Sequence, residues 1–236
     1  MNKRIGLLAP SSNTVQEPEF YTTLPPGYTL HVTRLALEKI EASSTLKIGE
    51  QVEEAARRLG HADVGVIVLA ATAPSSRLGL GYDQELIRRI AAVSGSLATT
   101  AATAMVEALK QLGARRIVLG APWSEDVNRT TANFIEQNGF EVLSQTALGI
   151  VANLEVGLLD AGTAYEMGRR IVRADADAVM LACGNWNTFP IIEKLEREIG
   201  KPVLSTNQVS LWHALKLLGA GPLQGLGSLL SRHLAG

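Results

Sequence analysis

Arg4-Ile5-Gly6-Leu7-Leu8-Ala9-Pro10-Ser11-Ser12 and Arg116-Ile117-Val118-Leu119-Gly120-Ala121-Pro122-Trp123-Ser124 are one phrase written twice, 112 residues apart. A second pair repeats at the same spacing: Ala62-Asp63 through Leu69-Ala70-Ala71, and Ala174-Asp175 through Leu181-Ala182-Cys183. A third, Ala108-Leu109-Lys110 with Leu112-Gly113, returns as Ala214-Leu215-Lys216 with Leu218-Gly219 at an offset of 106. The slip falls where the first half has a long loop, Ala73 to Asp83, and the second only Asn185 to Thr188. One short match could arise by chance in an Ala/Leu-rich chain, but two separated segments with a common offset point to two related units. The halves are drawn as residues 1–113, against which the C-terminal tail can pack back, and 114–236.

Around the repeat, short aliphatic runs alternate with stretches of helical period, the pattern of helices covering a parallel sheet. Strands are predicted at Arg4–Ala9, Thr29–Arg34, Val64–Ala70, Leu97–Thr99, Arg116–Gly120, Glu141–Ser144, Ala178–Ala182 and Pro202–Leu204. Helices are predicted at Leu46–Leu59, Asp83–Val93, Thr103–Leu112, Glu125–Gln137, Ala161–Val172, Pro190–Ile199 and Gln208–Leu218. Gly60, Gly95, Gly113, Gly139, Gly200 and Gly219 read as left-handed helix ends. The fold class is α/β.

Composition narrows the function. A chain of 236 residues with 46% hydrophobic content supports a sizeable core. Its 22 Lys and Arg balance 23 Asp and Glu, and no basic segment is interleaved with aromatics, which argues against a nucleic-acid partner. One cysteine and four scattered histidines offer neither an internal disulfide nor metal-ligand spacing, so the chain reads as cytosolic. The apolar run Ile5–Ala9 is too short for a signal peptide, and none is long enough for a membrane span.

If two related halves face each other, the loops at the carboxyl ends of equivalent strands line the crevice between them. The repeat then sets Ala71 opposite Cys183, and Pro10-Ser11-Ser12-Asn13 opposite Pro122-Trp123-Ser124-Glu125. Cys183 is expected at a strand end before Gly184-Asn185, where backbone N–H groups and a helix dipole can lower a thiol pKa; the bland alternative is a small buried hydrophobe. Ser11-Ser12-Asn13-Thr14, Thr72 with Ser75-Ser76, and Ser205-Thr206-Asn207 supply hydroxyls and amides suited to a carboxylate, although each alone reads as an N-cap or turn. Gly79-Leu80-Gly81 lacks the third glycine of a dinucleotide fingerprint, and no Walker loop or G-x-S-x-G elbow occurs. His31, His61, His213 and His233 read as structural or terminal. Arg77 is a candidate partner for a substrate carboxylate.

The stretches GLLAPSSNTVQEPEF from Gly6, LGARRIVLGAPW, LGIVANLE and VMLACGNWNTFPIIEKLEREIGKPVLSTNQVSLWHALKLLG are strung along nearly the whole chain, from Gly6 to Gly219. Together they resemble the aspartate/glutamate racemase superfamily, in the branch of maleate cis-trans isomerase and arylmalonate decarboxylase. The resemblance implies two pseudo-symmetric Rossmann-like (flavodoxin-like) halves with mostly parallel sheets, a site in the crevice, and chemistry on a small dicarboxylate without metal or organic cofactor. It also implies a homodimer, while the cytoplasmic location and the lack of a nucleic-acid or membrane partner are expected from the composition above. By resemblance Cys183 corresponds to the second-half catalytic cysteine and Asn13 to the substrate-binding asparagine of the PSSN motif. Thr72 corresponds to a hydroxyl holding a carboxylate or enediolate, and Asn153 to an asparagine that contacts substrate in the isomerases. Ser12 and Gly184 complete the candidate binding set. Position 71, a cysteine in isomerases and racemases, is Ala71; position 123, a tyrosine in relatives, is Trp123, whose indole donates but cannot accept.

Two thiols on opposite faces of a planar enediolate can take a proton from one side and return it on the other. One thiol serves one face. Cys183 alone can protonate the enediolate left by loss of CO₂, giving one enantiomer, with hydroxyl and amide donors stabilising the oxyanions. Maleate isomerisation needs a thiolate to add to the double bond and leave again, and by resemblance the residue for that attack is missing. The residues as they stand therefore read as an arylmalonate-decarboxylase-like lyase. Two alternatives stay open: an isomerase or racemase whose first cysteine is replaced by Ala71, by engineering for instance, and a carboxylate-binding relative without catalysis.

Overall fold

The computed structural model describes residues 2–40 and 42–234, so Met1 and Gly236, the outer limits of the two sequence halves, lie outside it. In chain order the first half contains β1 (Arg4–Pro10), α1 (Gln16–Thr23), β2 (Thr29–Leu35), α2 (Ala42–Gly60), β3 (Val66–Leu69), α3 (Thr72–Ser76), α4 (Tyr82–Ser94), β4 (Leu97–Thr100) and α5 (Ala101–Leu112). The second contains β5 (Arg116–Ala121), α6 (Glu125–Gln137), β6 (Glu141–Ala147), α7 (Asn153–Gly157), α8 (Ala161–Ile171) and β7 (Ala178–Leu181). A 3-10 turn (Phe189–Ile191), α9 (Ile192–Ile199), β8 (Val203–Ser205), α10 (Thr206–Leu217) and α11 (Gly227–Arg232) complete it. All eight expected strands are present. The sheets have strand orders β2-β1-β3-β4 and β6-β5-β7-β8, and every pairing is parallel.

The repeat is visible in the pairing register. Ile5 faces Val66 and Leu8 faces Leu69, while Ile117 faces Ala178 and Gly120 faces Leu181, the same partners displaced by 112 residues. Backbone links beyond the strands repeat as well: Ala70 N–H donates to Leu8 O at 2.9 Å and Ala182 N–H to Gly120 O at 2.8 Å. The halves differ chiefly between their third and fourth strands. There the stretch expected as a long loop begins with a short helix, α3, and α4 has 13 residues against eight in α9.

Alternation along the strands sends side chains to opposite sheet faces. Ile5, Leu7, Val66 and Val68 join a core continuous with the second half, whereas Leu8, Ile67 and Leu69 pack under α2 and α4 with Ile48, Val52, Leu86 and Ile90. Helix α10 packs against α5, β3 and β4, so the last long helix covers the first sheet. Of the glycines expected to end helices, Gly95, Gly113, Gly139, Gly200 and Gly219 have positive φ; Gly60 does not. Its glycine is required by crowding, since a Cβ there would lie 2.9 Å from the Ser94 carbonyl oxygen. Close approach also governs Gly168 on α8, where a Cβ would overlap Leu195 Cδ2. Gly168→Ala is expected to cost about 1–3 kcal/mol by overpacking, measured by urea denaturation; an unchanged midpoint would show that α8 and α9 can separate freely. Among the described residues no helix is long and apolar enough to cross a membrane.

Candidate active site

In both sheets the order reverses between the first and third strands, and a crevice opens at such a switch point beyond the strand carboxyl ends. The loops there form a single cleft. Pro10 ends β1 and Asn13 follows it, Ala70–Pro74 follow β3, Trp123 follows β5, and Cys183–Asn185 follow β7; Leu37, Ile40 and Asn153 complete the wall. Seven of the eight sequence-predicted positions thus meet: Asn13, Ala71, Thr72, Trp123, Asn153, Cys183 and Gly184. Ser12 stands one layer behind, its hydroxyl donating to Leu37 O and accepting from Asn153 Nδ2 at 2.8 Å. Arg77 does not line the cleft but turns toward Asp126, 3.9 Å away.

A strap crosses the cleft from one half to the other. Ile40 N–H donates to Val151 O at 3.1 Å, Asn153 N–H to Glu38 O at 3.3 Å, and Lys39 bridges antiparallel to Ala152. The cavity behind it has a volume of about 30 Å³, room for one or two waters.

The polar groups brace one another. Asn13 Oδ1 accepts from the Val15 and Gln16 amides at 3.0 and 2.9 Å, starting α1, while its Nδ2 donates to Gly184 O at 2.9 Å across the halves. Asn185 returns the contact: its Oδ1 accepts from Thr14 N–H at 2.8 Å and its Nδ2 donates to Asn153 O at 2.7 Å. Thr206 Oγ1, at the start of α10, accepts from Cys183 N–H at 3.0 Å and from Thr72 Oγ1 at 3.3 Å. Trp123 offers the cleft its ring only, because its indole N–H is turned to Asn128 Oδ1 at 3.3 Å.

The expectation of a lowered thiol pKa is reversed. Burial pushes the Cys183 thiol up to about 12, and the Asn185 backbone N–H offsets only part of this. Taking a thiolate out of water costs more than one amide returns. At neutral pH Cys183 keeps its proton. His213, inside α10 with Nδ1 2.8 Å from Thr99 Oγ1, is pushed down to about 4 by burial and does not line the cleft.

The sequence reading missed Glu19. It is buried on α1 and reaches into the second half, where Oε1 accepts from the Thr188 and Phe189 amides at 2.8 and 2.9 Å and Oε2 from Asn207 Nδ2 at 2.5 Å. No cation pairs with it among the described residues. Burial raises its pKa to about 7 although all three donors oppose the rise. A carboxyl raised on folding contributes stability that is complete below its unfolded pKa of 4.5 and lost as pH rises through about 7. Glu19→Gln removes that loss, so the variant should gain on the wild type by roughly 2–3 kcal/mol between pH 5 and pH 8. Parallel urea titrations read the difference; a constant gap would mean that the charge is already well solvated.

The sequence profile of the arylmalonate decarboxylase family matches residues 5–230, nearly the whole chain. The chain belongs to the arylmalonate decarboxylase family. Among curated relatives, a maleate isomerase of Pseudomonas putida is 31% identical over 97% of each chain. An arylmalonate decarboxylase of Bordetella bronchiseptica is 28% identical, covering 92% of this chain and 91% of its own. The architecture agrees closely with that of solved family members. A Nocardia farcinica maleate cis-trans isomerase, captured as a cysteine-to-serine variant with a covalently bound succinylcysteine intermediate, superimposes with a TM-score of 0.93 at 28% identity, covering 98% of both chains. A liganded arylmalonate decarboxylase carrying a glycine-to-cysteine and a cysteine-to-serine substitution gives 0.90 at 27% identity, over 98% of this chain and 99% of that one.

Proposed function

We propose that this chain is a cofactor-independent decarboxylase of substituted malonates, in which Cys183 delivers a proton to the carbon beside the surviving carboxylate. The observation that carries the reading is the asymmetry of the cleft: the loop after β7 brings a thiol, and the equivalent loop after β3 brings the methyl group of Ala71. A diacid is larger than the present cavity, so its entry requires the strap between Glu38–Ile40 and Val151–Asn153 to open. Once the strap closes again, water is excluded and the thiol meets one face of the substrate. The bond from Cα to one carboxylate breaks, CO₂ leaves, and the electron pair stays on Cα and the other carboxylate as an enediolate. The Cys183 S–H bond then breaks and its proton forms the new C–H bond, leaving a thiolate that solvent reprotonates when the cleft reopens. A thiol protonated at neutral pH is in the right state for this step. Thr72, by turning its hydroxyl from Thr206 to the substrate, and backbone amides at the loop ends are the donors for the oxyanions.

A second reading, a maleate isomerase or racemase lacking its first cysteine at Ala71, is favoured by the identity to a maleate isomerase and by Asn153 in the cleft wall. Incubation with aryl- and alkylmalonates and with maleate separates the two. Release of CO₂ with one enantiomer of the acid supports the decarboxylase, and fumarate supports the isomerase. If neither forms, and dicarboxylates leave alkylation of Cys183 unchanged, both give way to carboxylate binding elsewhere or to none.

A further inference from the structure

We infer that Glu19 is a positioning residue for Cys183, reaching from the first half to hold the Cys183–Phe189 loop of the second half in its reactive shape. The inference rests on Cys183 being the reacting group. The loop is gripped at both ends: Thr206 and Asn13 bond Cys183 N–H and Gly184 O, while Glu19 alone accepts the Thr188 and Phe189 amides. Through Asn207 Nδ2, which also lies 3.5 Å from Trp186 O, Glu19 reaches the loop's middle, and Trp186 N–H closes a turn onto Cys183 O at 3.4 Å.

An unpaired buried carboxylate is a costly way to fill space. Its return is that one group satisfies three donors presented by two segments, which no apolar residue could do. The layer between α1 and α10 already carries several unpaired polar atoms. Every buried side-chain polar atom that lacks a partner among the described residues belongs to Gln16 of α1, Trp186 of the loop, or Asn207 and Ser210 of α10. Without Glu19, the Thr188 and Phe189 amides and Asn207 Nδ2 would join them, and the loop would have to shift to find water. That shift carries Cys183 with it through the Trp186 turn.

The test uses the single cysteine as its own reporter, by iodoacetamide alkylation of the intact chain, so it does not depend on turnover. E19A, stripping three buried donors of their acceptor, is expected to be alkylated about tenfold faster or more than wild type. With a malonate substrate, its kcat should fall about tenfold or more while KM stays within about threefold, since the substrate carboxylates bind elsewhere. E19Q, whose amide oxygen still accepts the two loop amides and whose NH₂ can face Asn207 Oδ1, should remain within about threefold of wild type in both measurements. G60A, which crowds the Ser94 carbonyl at the α2–α4 end of the first half, away from the loop, should leave alkylation within about twofold, separating positioning from loss of stability. Should E19A fail to fold, N207A removes one of the three donors and is expected to speed alkylation about threefold. Alkylation of E19A, or of N207A in its place, within about twofold of wild type would overturn the proposal. So would an E19Q variant no better than E19A. A wild type inert toward malonates would sink the decarboxylase reading instead, leaving the alkylation comparison to decide the role of Glu19.

Discussion

Cys183→Ala is expected to reduce turnover of a substituted malonate by roughly 10²–10⁴-fold, the range contributed by a positioned proton donor. The residual product should be nearly racemic. The thiol is the sole ionisable sulfur of the chain, it lines the cleft, and its proton stays on at neutral pH. Removing one sulfur atom from a wall otherwise held by backbone and asparagine bonds leaves those bonds untouched, so folding and dicarboxylate binding should survive. The checks are CO₂ release, chiral analysis of the acid, and protection of the fold from thermal melting by a non-reacting diacid. Undiminished turnover with unchanged stereochemistry would mean that another group or a water delivers the proton.

Ala71→Cys is expected to have the next largest effect, and a qualitative one. It places a second thiol on the loop after β3, equivalent by the 112-residue register to the loop that carries Cys183. With a donor on each face the enediolate can be protonated from either side, so enantiomeric excess should collapse. Racemisation of the isolated product acid should appear, or, on the second reading, fumarate from maleate. The added atom faces the cavity, so the stability cost should be below about 1.5 kcal/mol, as for other conservative swaps. Deuterium exchange at Cα, followed by NMR, gives the most direct measure. If neither exchange, racemisation nor isomerisation appears, the two loops do not address opposite faces of one substrate.

The parts of the molecule legible in the sequence are those encoded by short-range pattern. Strands read as strands because aliphatic alternation is local, and the matched registers of Ile5 with Val66 and Ile117 with Ala178 follow from a repeat visible in the letters alone. Most of the cleft followed too, because residues just past strand ends cannot lie far from a switch point. Helix α1 escaped notice: its start is capped by Asn13, and its buried face of Gln16, Glu19 and Phe20 contains two polar residues, so it shows little amphipathic signal. The strap joining Ile40 to Val151 was equally hidden, since its bonds are between backbones far apart in the chain.

By itself, then, the chain's order of residues determined the α/β class, the twofold repetition, and which loops meet, because spacing and polarity act over a few residues at a time. Tertiary structure alone decided the chemical state of what meets there. Cys183 rises to about 12 and Glu19 to about 7 because packing removes the water that would solvate their charges. Trp123 gives its N–H to Asn128 because α6 brings that acceptor to it. Solvation and partner geometry depend on every neighbour at once, and those neighbours come from both halves of the chain.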